Sequence, residues 1–579
     1  MQKIINPFLY ILSFLLAAVV SIKNLREPDI WWQIRTGEWI IDHQKVPTVD
    51  VFSFTQQGQD WINIKWGFEV LAAWISKTLG PESIFILQML VSLLILYFIK
   101  KIGELFNLNN ATLFFITTIL LLFGIEYRII GRPEMFSHLF VVVFIYLLLK
   151  YTNTQSKHIY WVIPLQIFWC NMHEAYAIGI VMLGIYTLIK WFEYAILKKS
   201  KPYEICLITG ISIAAITINP RGILLLTRPF NIFNQVQQNK YTTELDSIFT
   251  ADYWHKESYF FIIIAVCFLY YLLSEFKKNK LFTFQSEFPV GYLGICMAFL
   301  FLSFTAYRNI VFFILSVIPI IAYLFYKKFK HIDKLSIPLA LFGIIMYAMI
   351  VSNKYYTLTN SRDRFGLEVL SINNPSGAAQ FIEQQQLKSK KGFSDYLTSS
   401  YLLWKLQPDF KTFIDLRDLD VFSTAFFEKY LDIINNPQSF YTLDQTEKFD
   451  YVVLYRKSNE ALHQYLYNDS VYACTFIDAV AAVYQKTDDI PKGDIFKQGS
   501  PIPQSSFSTT LNHLFNPAYQ PFDYDDVNLD YEAATYYTNV GKISLAEKRV
   551  NQYLAANPDN QEAIELRNHL MQLKSSIKK

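Results

Sequence analysis

INPFLYILSFLLAAVVSIKNLREPDIWWQIRTGEW, residues 5–39, is the stretch on which the fold turns. Its first half, centred on Tyr10–Val20, is apolar. Its second half places Asp29, Trp31, Trp32, Arg35 and Gly37 where a helix leaving a bilayer would meet the headgroups. The junction SIKNLREP is no small-residue cleavage site, so the run reads as a retained first span and not as a secretory leader. PDIWWQIRTGEW, residues 28–39, is then either an interfacial aromatic belt or the first piece of a site.

Composition extends the reading to the whole chain. Of 579 residues, 52% are hydrophobic and only 17% charged, against about 25% charged in an ordinary soluble domain. The apolar residues come in blocks, the pattern of a multi-span membrane protein. A net charge of +3 makes no case for nucleic acid. The cysteines, Cys170, Cys206, Cys267, Cys296 and Cys474, have neither disulfide-framework nor zinc spacing.

Measured against the roughly 20 residues a helix needs to cross a bilayer, the apolar runs predict about eleven spans. They are 5–22, 83–100, 111–126, 135–151, 159–173, 176–192, 204–219, 258–274, 288–306, 309–326 and 335–352. Alternate junctions carry Lys100 and Lys101; Lys157; Lys190, Lys198, Lys199 and Lys201; Lys277, Lys278 and Lys280; and Lys327, Lys328, Lys330 and Lys334. Lysine-rich junctions face the cytoplasm. The N-terminus is therefore expected inside, and residues 353–579 outside.

The opposite junctions differ in kind. The first, 23–82, holds Glu27, Asp29, Asp50, Lys65 and Glu69 in a shaped loop with short helices. The next carries Arg128, Arg132 and Glu134; the third Asn171, His173 and Glu174; the fourth Asn219 and Arg221, then Glu244, Asp246 and Asp252; the last Arg308 and Asn309. Acids, arginines, His and Asn gathered on one face suggest a polar site there. A carboxylate such as Asp29 at the boundary can take a hydroxyl proton, or it can be a solvated loop acid. Asp50 can do the same or open an Asx turn. Trp31 and Trp32 can exclude water and stack on a sugar or a lipid chain. Arg128 and Arg132, with Glu134 beside them, can hold phosphate oxygens or merely snorkel. Ionisable groups at the depth of His173 and Glu174 are functional by default, yet adjacent helical residues diverge by about 100°, which disfavours one shared metal ion. Asn219, Arg221, Arg308 and Asn309 can be caps or basic groups of the same face. No phosphate-binding glycine loop, nucleophile elbow or metalloprotease helix motif occurs.

Taken in order, these pieces carry a resemblance. An acid-Trp-Trp segment ending in Gly-x-x-Ile is followed by P-x-x-D-x-F-S-x-T-x-x-G-x-x-W, R-P-x-x-F-S-H-L-F (132–140), W-x-N-x-H (169–173), N-P-x-G (219–222) and Y-R-N (307–309). Over residues 1–352 the chain resembles bacterial polytopic membrane proteins related to the GT-C fold glycosyltransferases. The resemblance implies an inverting transfer of sugar from a polyprenyl-phosphate donor at the outer face of the bacterial inner membrane, to an envelope glycan, lipid or protein. It puts the base on an acid of the first outer loop, best matched by Asp29 and next by Asp50. Trp31, Trp32, Arg128, Arg132, Glu134, Asn171, His173, Glu174, Asn219, Arg221 and Arg308 become the expected substrate contacts, and a divalent cation, magnesium or manganese, is the one cofactor it admits. One position departs: relatives tend to read His-Glu-Trp where this chain has Ile64-Lys65-Trp66.

Beyond the expected membrane domain, 1–352, the chain turns mixed polar. KTFIDLR (411–417), DYVVLY (450–455) and AAVYQK (481–486) are predicted as strands, and 375–387 and 424–435 as helices, giving an extracytoplasmic α/β domain over 353–490. FIDLRD and DLDVF suit metal or sugar contact, or a turn after a strand. Residues 491–527 read as a Pro- and Ser-rich linker, and 528–579 as a tetratricopeptide-like helical pair around Gly541. That pair would pack on the domain or on an envelope protein partner. The function expected is glycosyl transfer. Its rivals are a non-catalytic scaffold for envelope assembly, and a transporter or flippase, which would want charges at mid-membrane and not at one face.

Overall fold

The structure, a computed structural model, describes residues 2–198, 200–232, 241–278, 286–417, 420–487, 493–499, 501–522 and 528–577. Lys199, Lys280, Asp418 and part of the expected linker lie outside them. The chain forms two compact units. The first comprises Met1–Leu25, Ile64–Leu367 and Ser506–Tyr519; the second Arg26–Asn63, Glu368–Ser505 and Gln520–Lys579.

In the first unit each of the eleven apolar runs is a helix. Among the described residues, eight are long and apolar enough to cross a membrane. Val162–Met172, Tyr203–Ala215 and Val290–Thr305 have 11, 13 and 16 residues. At about 1.5 Å per residue they fall short of a roughly 30 Å hydrocarbon core. The expected count of about eleven full spans is corrected to eight plus three short helices, in a multi-pass membrane protein. The helix Ile310–Lys328 is the axis of this unit: every residue from Ile310 to Ala322 is buried. A stripe would suffice for a peripheral helix; burial all round marks a central one.

The two ends of this unit are chemically unlike. At one, Lys100 and Lys101 meet Glu104, Asn110 donates to Asp333 (2.7 Å) and Lys157 pairs with Glu204 (2.6 Å). At the other, buried Lys23 bonds Asp363 (2.9 Å) and the Glu126 carbonyl (3.2 Å), while Tyr355 donates to Glu126 (2.5 Å). That knot ties the exits of the first, third and last of the eleven helices. Residues expected as linker return here as the helix Ser506–Phe515. Its Asn512 satisfies both the N–H and the carbonyl of Leu367, replacing the ladder an extended segment would lack.

The second unit is built on four strands, β1 (Gly392–Ser394), β2 (Tyr451–Tyr455), β3 (Tyr472–Ile477) and β4 (Ala481–Lys486), in the order β1-β2-β4-β3. β1 runs parallel to β2; the other pairs are antiparallel. The predicted strands near 450–455 and 481–486 and helices near 375–387 and 424–435 are present. KTFIDLR is not a strand: Thr412 makes an isolated bridge to Ser53, and the turn that follows is fixed by an ion cluster described below. Three helices close the chain, Leu529–Asn539, Ile543–Ala556 and Gln561–Ile577. They add a third helix to the expected pair. They pack on the sheet domain through Ala533, Ala534, Tyr537, Ala546 and Val550, with Tyr536 hydrogen-bonded to Tyr484 of β4 (2.7 Å).

Candidate functional site

PDIWWQIRTGEW is the helix Asp29–His43 of the second unit. Asp29 stands in its first turn, where a carboxylate is stabilised by the unsatisfied N–H groups of the helix start. Both tryptophans point into the unit. Trp31 donates to Asn374 (2.7 Å) and packs its ring on Tyr401 and Trp404 at 5.0 and 4.7 Å. Trp32 donates to Asp29 (3.3 Å) and lies 6.4 Å from Trp61. Buried indoles remove roughly 200 Å² each from water, on the order of 5 kcal/mol apiece before conformational costs. The expected lipid or sugar platform is therefore a core anchor.

Asp50 is the Asx turn that the sequence allowed. One oxygen accepts from Phe52 N–H (3.2 Å), the other from Ser53 N–H (3.1 Å) and Ser53 Oγ (2.5 Å). Arg417 adds an ion pair at 2.6 Å and forks onto Asp415 through Nε (2.8 Å) and a terminal nitrogen (2.7 Å). All three side chains are 0% exposed. Arg417 also lies 4.8 Å from the Trp61 ring. Burial alone would lower the guanidinium's affinity for its proton; Asp415 and Asp50 more than offset that and raise it. With its lone pairs taken and its charge neutralised, Asp50 is a structural acid, and Asp415 and Arg417 of FIDLRD are spent in the same cluster.

The second group of expected residues belongs to the first unit, at the end that holds Lys23. Arg128 closes the short turn Glu126–Arg128, and Glu134 opens the helix Glu134–Thr154. Arg128 forks onto Glu134, with Nε at 2.6 Å, and its remaining edge pairs with Glu244. Arg132 reaches the other Glu244 oxygen at 3.1 Å. Glu244 sits on the short turn Thr243–Leu245, pinned by Tyr307 N–H donating to the Asp246 carbonyl (2.9 Å). That bond brings Arg308 alongside. Its guanidinium has no hydrogen-bond or ion-pair partner among the described residues, and the charges acting on it are Glu244, Arg128, Glu134 and Glu174. Burial would raise the Glu244 carboxyl; Arg128 and Arg132 outweigh it and hold Glu244 below the ordinary carboxylate range.

A third set frames this end. Asn171 accepts from Trp66 (2.7 Å) and Asn219 (3.0 Å), and donates to the Ile167 and Ile218 carbonyls. Asn219 caps its own turn by accepting from Arg221 N–H (2.9 Å). These two amides are tied to the protein, which makes Asn171, Asn219 and the turn at Arg221 parts of the frame. Trp169 donates to Ser137, and Ser137 bonds Nδ1 of His173 (2.7 Å), which also accepts from Ala175 N–H (3.4 Å). The network assigns the His173 proton to Nε2. Lys65, the departure from the resemblance, pairs with Glu174 at 3.5 Å.

Arg128, Arg132, Glu134 and Arg308 thus come together, joined by Glu244, which the sequence showed only as one loop acid. Nothing local marks it: it lies 116 residues from Arg128. Asp29, Trp31, Trp32 and Asp50 belong to the second unit. Among the described residues no three His, Cys, Asp or Glu side chains gather as a metal ion would require.

No family model matches the chain, and no curated protein matches it. Solved structures do. The oligosaccharyltransferase of Archaeoglobus fulgidus in its apo form aligns over 85% of this chain and 76% of its own, at 10% identity and a TM-score of 0.51. The same enzyme tethered to an acceptor peptide containing the NVT sequon aligns over 83% and 74%, at 10% identity and a TM-score of 0.52. ArnT from Cupriavidus metallidurans in the apo state aligns over 83% and 97%, at 11% identity and a TM-score of 0.49. The oligosaccharyltransferase alignments show that this chain has a GT-C-like fold.

Proposed function

We propose that the protein is a membrane glycosyltransferase that moves a sugar from a polyprenyl-phosphate-linked donor to an envelope glycan, lipid or protein. The observation that carries this is the arginine cluster: Arg128, Arg132 and Arg308 converge at the span ends of a GT-C-like fold, the depth at which a lipid phosphate sits. When the bond from sugar to phosphate breaks, negative charge grows on the departing phosphate oxygen. Arginines placed beforehand stabilise that charge more than the ground state, which is the requirement for catalysis. The resemblance, not a measured approach, gives the acceptor's proton to Asp29, and inversion follows from attack opposite the leaving phosphate. No step is routed through a metal ion. In the same reading the protein sits in a bacterial inner membrane with the N-terminus cytoplasmic, following the lysines.

One observation favours a non-catalytic scaffold: Lys65, standing where the resemblance expects an acid, is already paired with Glu174. Asp29→Asn separates the two readings. In a deletion strain complemented with this variant, transfer should fall by roughly 10²- to 10⁴-fold, the ordinary worth of a general base, with donor lipid accumulating and protein amount unchanged. Envelope glycans profiled by mass spectrometry give the readout. Glycans that are lost on deletion but fully restored by Asp29→Asn would move the scaffold ahead.

A further inference from the structure

The acid between the arginines is the least expected feature of the site. A carboxylate bridging two guanidiniums has the shape and charge of one edge of a phosphate. The two acids bound to Arg128 are not equivalent. Glu134 is the deeper, 13% exposed, fixed on a helix start and forked onto the guanidinium. Glu244 is shallower, 26% exposed, on a three-residue turn, and spans from Arg128 to Arg132. Arg308, on the turn joined to the Glu244 turn by the bond from Tyr307 N–H to the Asp246 carbonyl, has no hydrogen-bond or ion-pair partner of its own among the described residues and adds a third positive charge acting on Glu244.

Charge gives the same answer. Three arginines against Glu134 and Glu244 leave one positive charge; with Glu244 displaced the excess is two, the match for a phosphate monoester dianion. We infer that Glu244 is a stand-in for the monoester phosphate that the sugar leaves behind: its carboxylate occupies the anion seat between Arg128 and Arg132 in the unliganded protein and is exchanged for a phosphate group, on a lipid or free, when that binds. This rests on the glycosyltransferase reading and adds a residue that sets affinity for the polyprenyl phosphate released by the transfer. An internal competitor lowers apparent affinity by the fraction of time the seat is filled. It also keeps buried Arg128 and half-buried Arg132 and Arg308 from standing without a carboxylate between turnovers.

The test measures binding of undecaprenyl phosphate to the full chain in nanodiscs by native mass spectrometry. Undecaprenol and inorganic phosphate serve as the two comparison ligands. Glu244→Gln should bind the phospholipid about tenfold or more tighter than wild type, Arg132→Met more weakly, and Glu104→Gln, which removes the same charge at the opposite end, equally. Unchanged or weaker binding by Glu244→Gln, with wild type still preferring the phosphate to the alcohol, overturns the inference and leaves the glycosyltransferase reading standing. No preference for the phosphate in any variant overturns both. Inorganic phosphate that competes as well as the lipid assigns the seat to a free anion. Should Glu244→Gln not fold, the wild-type protein answers the same question. Carbodiimide labelling of Glu244 should rise when undecaprenyl phosphate is added and stay level with undecaprenol; labelling that stays level or falls with both overturns the inference.

Discussion

Two arginines, one in each unit, hold two carboxylates apiece, and they do opposite things. Arg417 with Asp50 and Asp415 is sealed at 0% exposure, aromatic rings over its faces. Arg128 with Glu134 and Glu244 keeps one partner 26% exposed on a short turn. The residue types match; access to water does not. A sealed cluster is worth its geometry and nothing can be exchanged through it. A cluster open on one side has a partner that a ligand of like charge can replace.

The largest effect that could break this contrast is on stability. Arg417→Met leaves two carboxylates buried without a counter-ion and should cost about 3–5 kcal/mol. Arg128→Met strips acids that water already reaches and should cost clearly less. Denaturant titration of the full chain in detergent, followed by tryptophan emission, compares them; equal losses would erase the distinction between a structural and an exchangeable cluster.

A further carboxylate sharpens the contrast, because it is sealed without an arginine bond. Asp478 is 0% exposed; Oδ1 accepts from Val480 and Ala481 N–H, and Oδ2 has no hydrogen-bond partner among the described residues. Burial pushes its carboxyl up to about 6. A folded-state value above the unfolded one means the folded protein holds the proton longer. Stability should therefore decline as pH rises from about 4 to about 6, by up to roughly 3 kcal/mol, and level off above. Asp478→Asn should flatten that decline, measured as unfolding free energy against pH; a slope that survives would place the titration elsewhere. The smallest effect is that of the half-open pair Lys65–Glu174, where Lys65→Met should cost only about 0.2–1 kcal/mol in the same denaturant titration. A larger loss would make Lys65 part of the frame that holds His173.

Much of the membrane half was legible because the signal is local. An apolar run declares itself within its own length, and all eleven became helices; of the three that fell short of a full span, two open at Pro202 and Pro289 and the third opens at the short turn Lys157–Trp161 and ends at His173. The unlike ends of the helices were legible too, as lysines on one set of junctions and Arg, His, Asn and acids on the other. The strand assigned to KTFIDLR failed for a reason no window shows: Asp415 and Arg417 turn away to meet Asp50, 367 residues from Arg417. Trp31 and Trp32 looked interfacial because their neighbours in sequence are, whereas Asn374, Tyr401 and Trp404 surround Trp31 and Trp61 lies by Trp32.

Sequence by itself determined that this is a multi-pass membrane chain followed by a mixed α/β region, and which span ends gather arginines, His, Asn and acids, because hydropathy and charge are properties of single segments. Only the tertiary structure decided which carboxylate neutralises which arginine, that Asp50 is spent in a turn, and that Glu244 sits between Arg128 and Arg132. Those outcomes depend on which distant groups share one desolvated space, and there a charge accepts whichever partner the packing brings within reach.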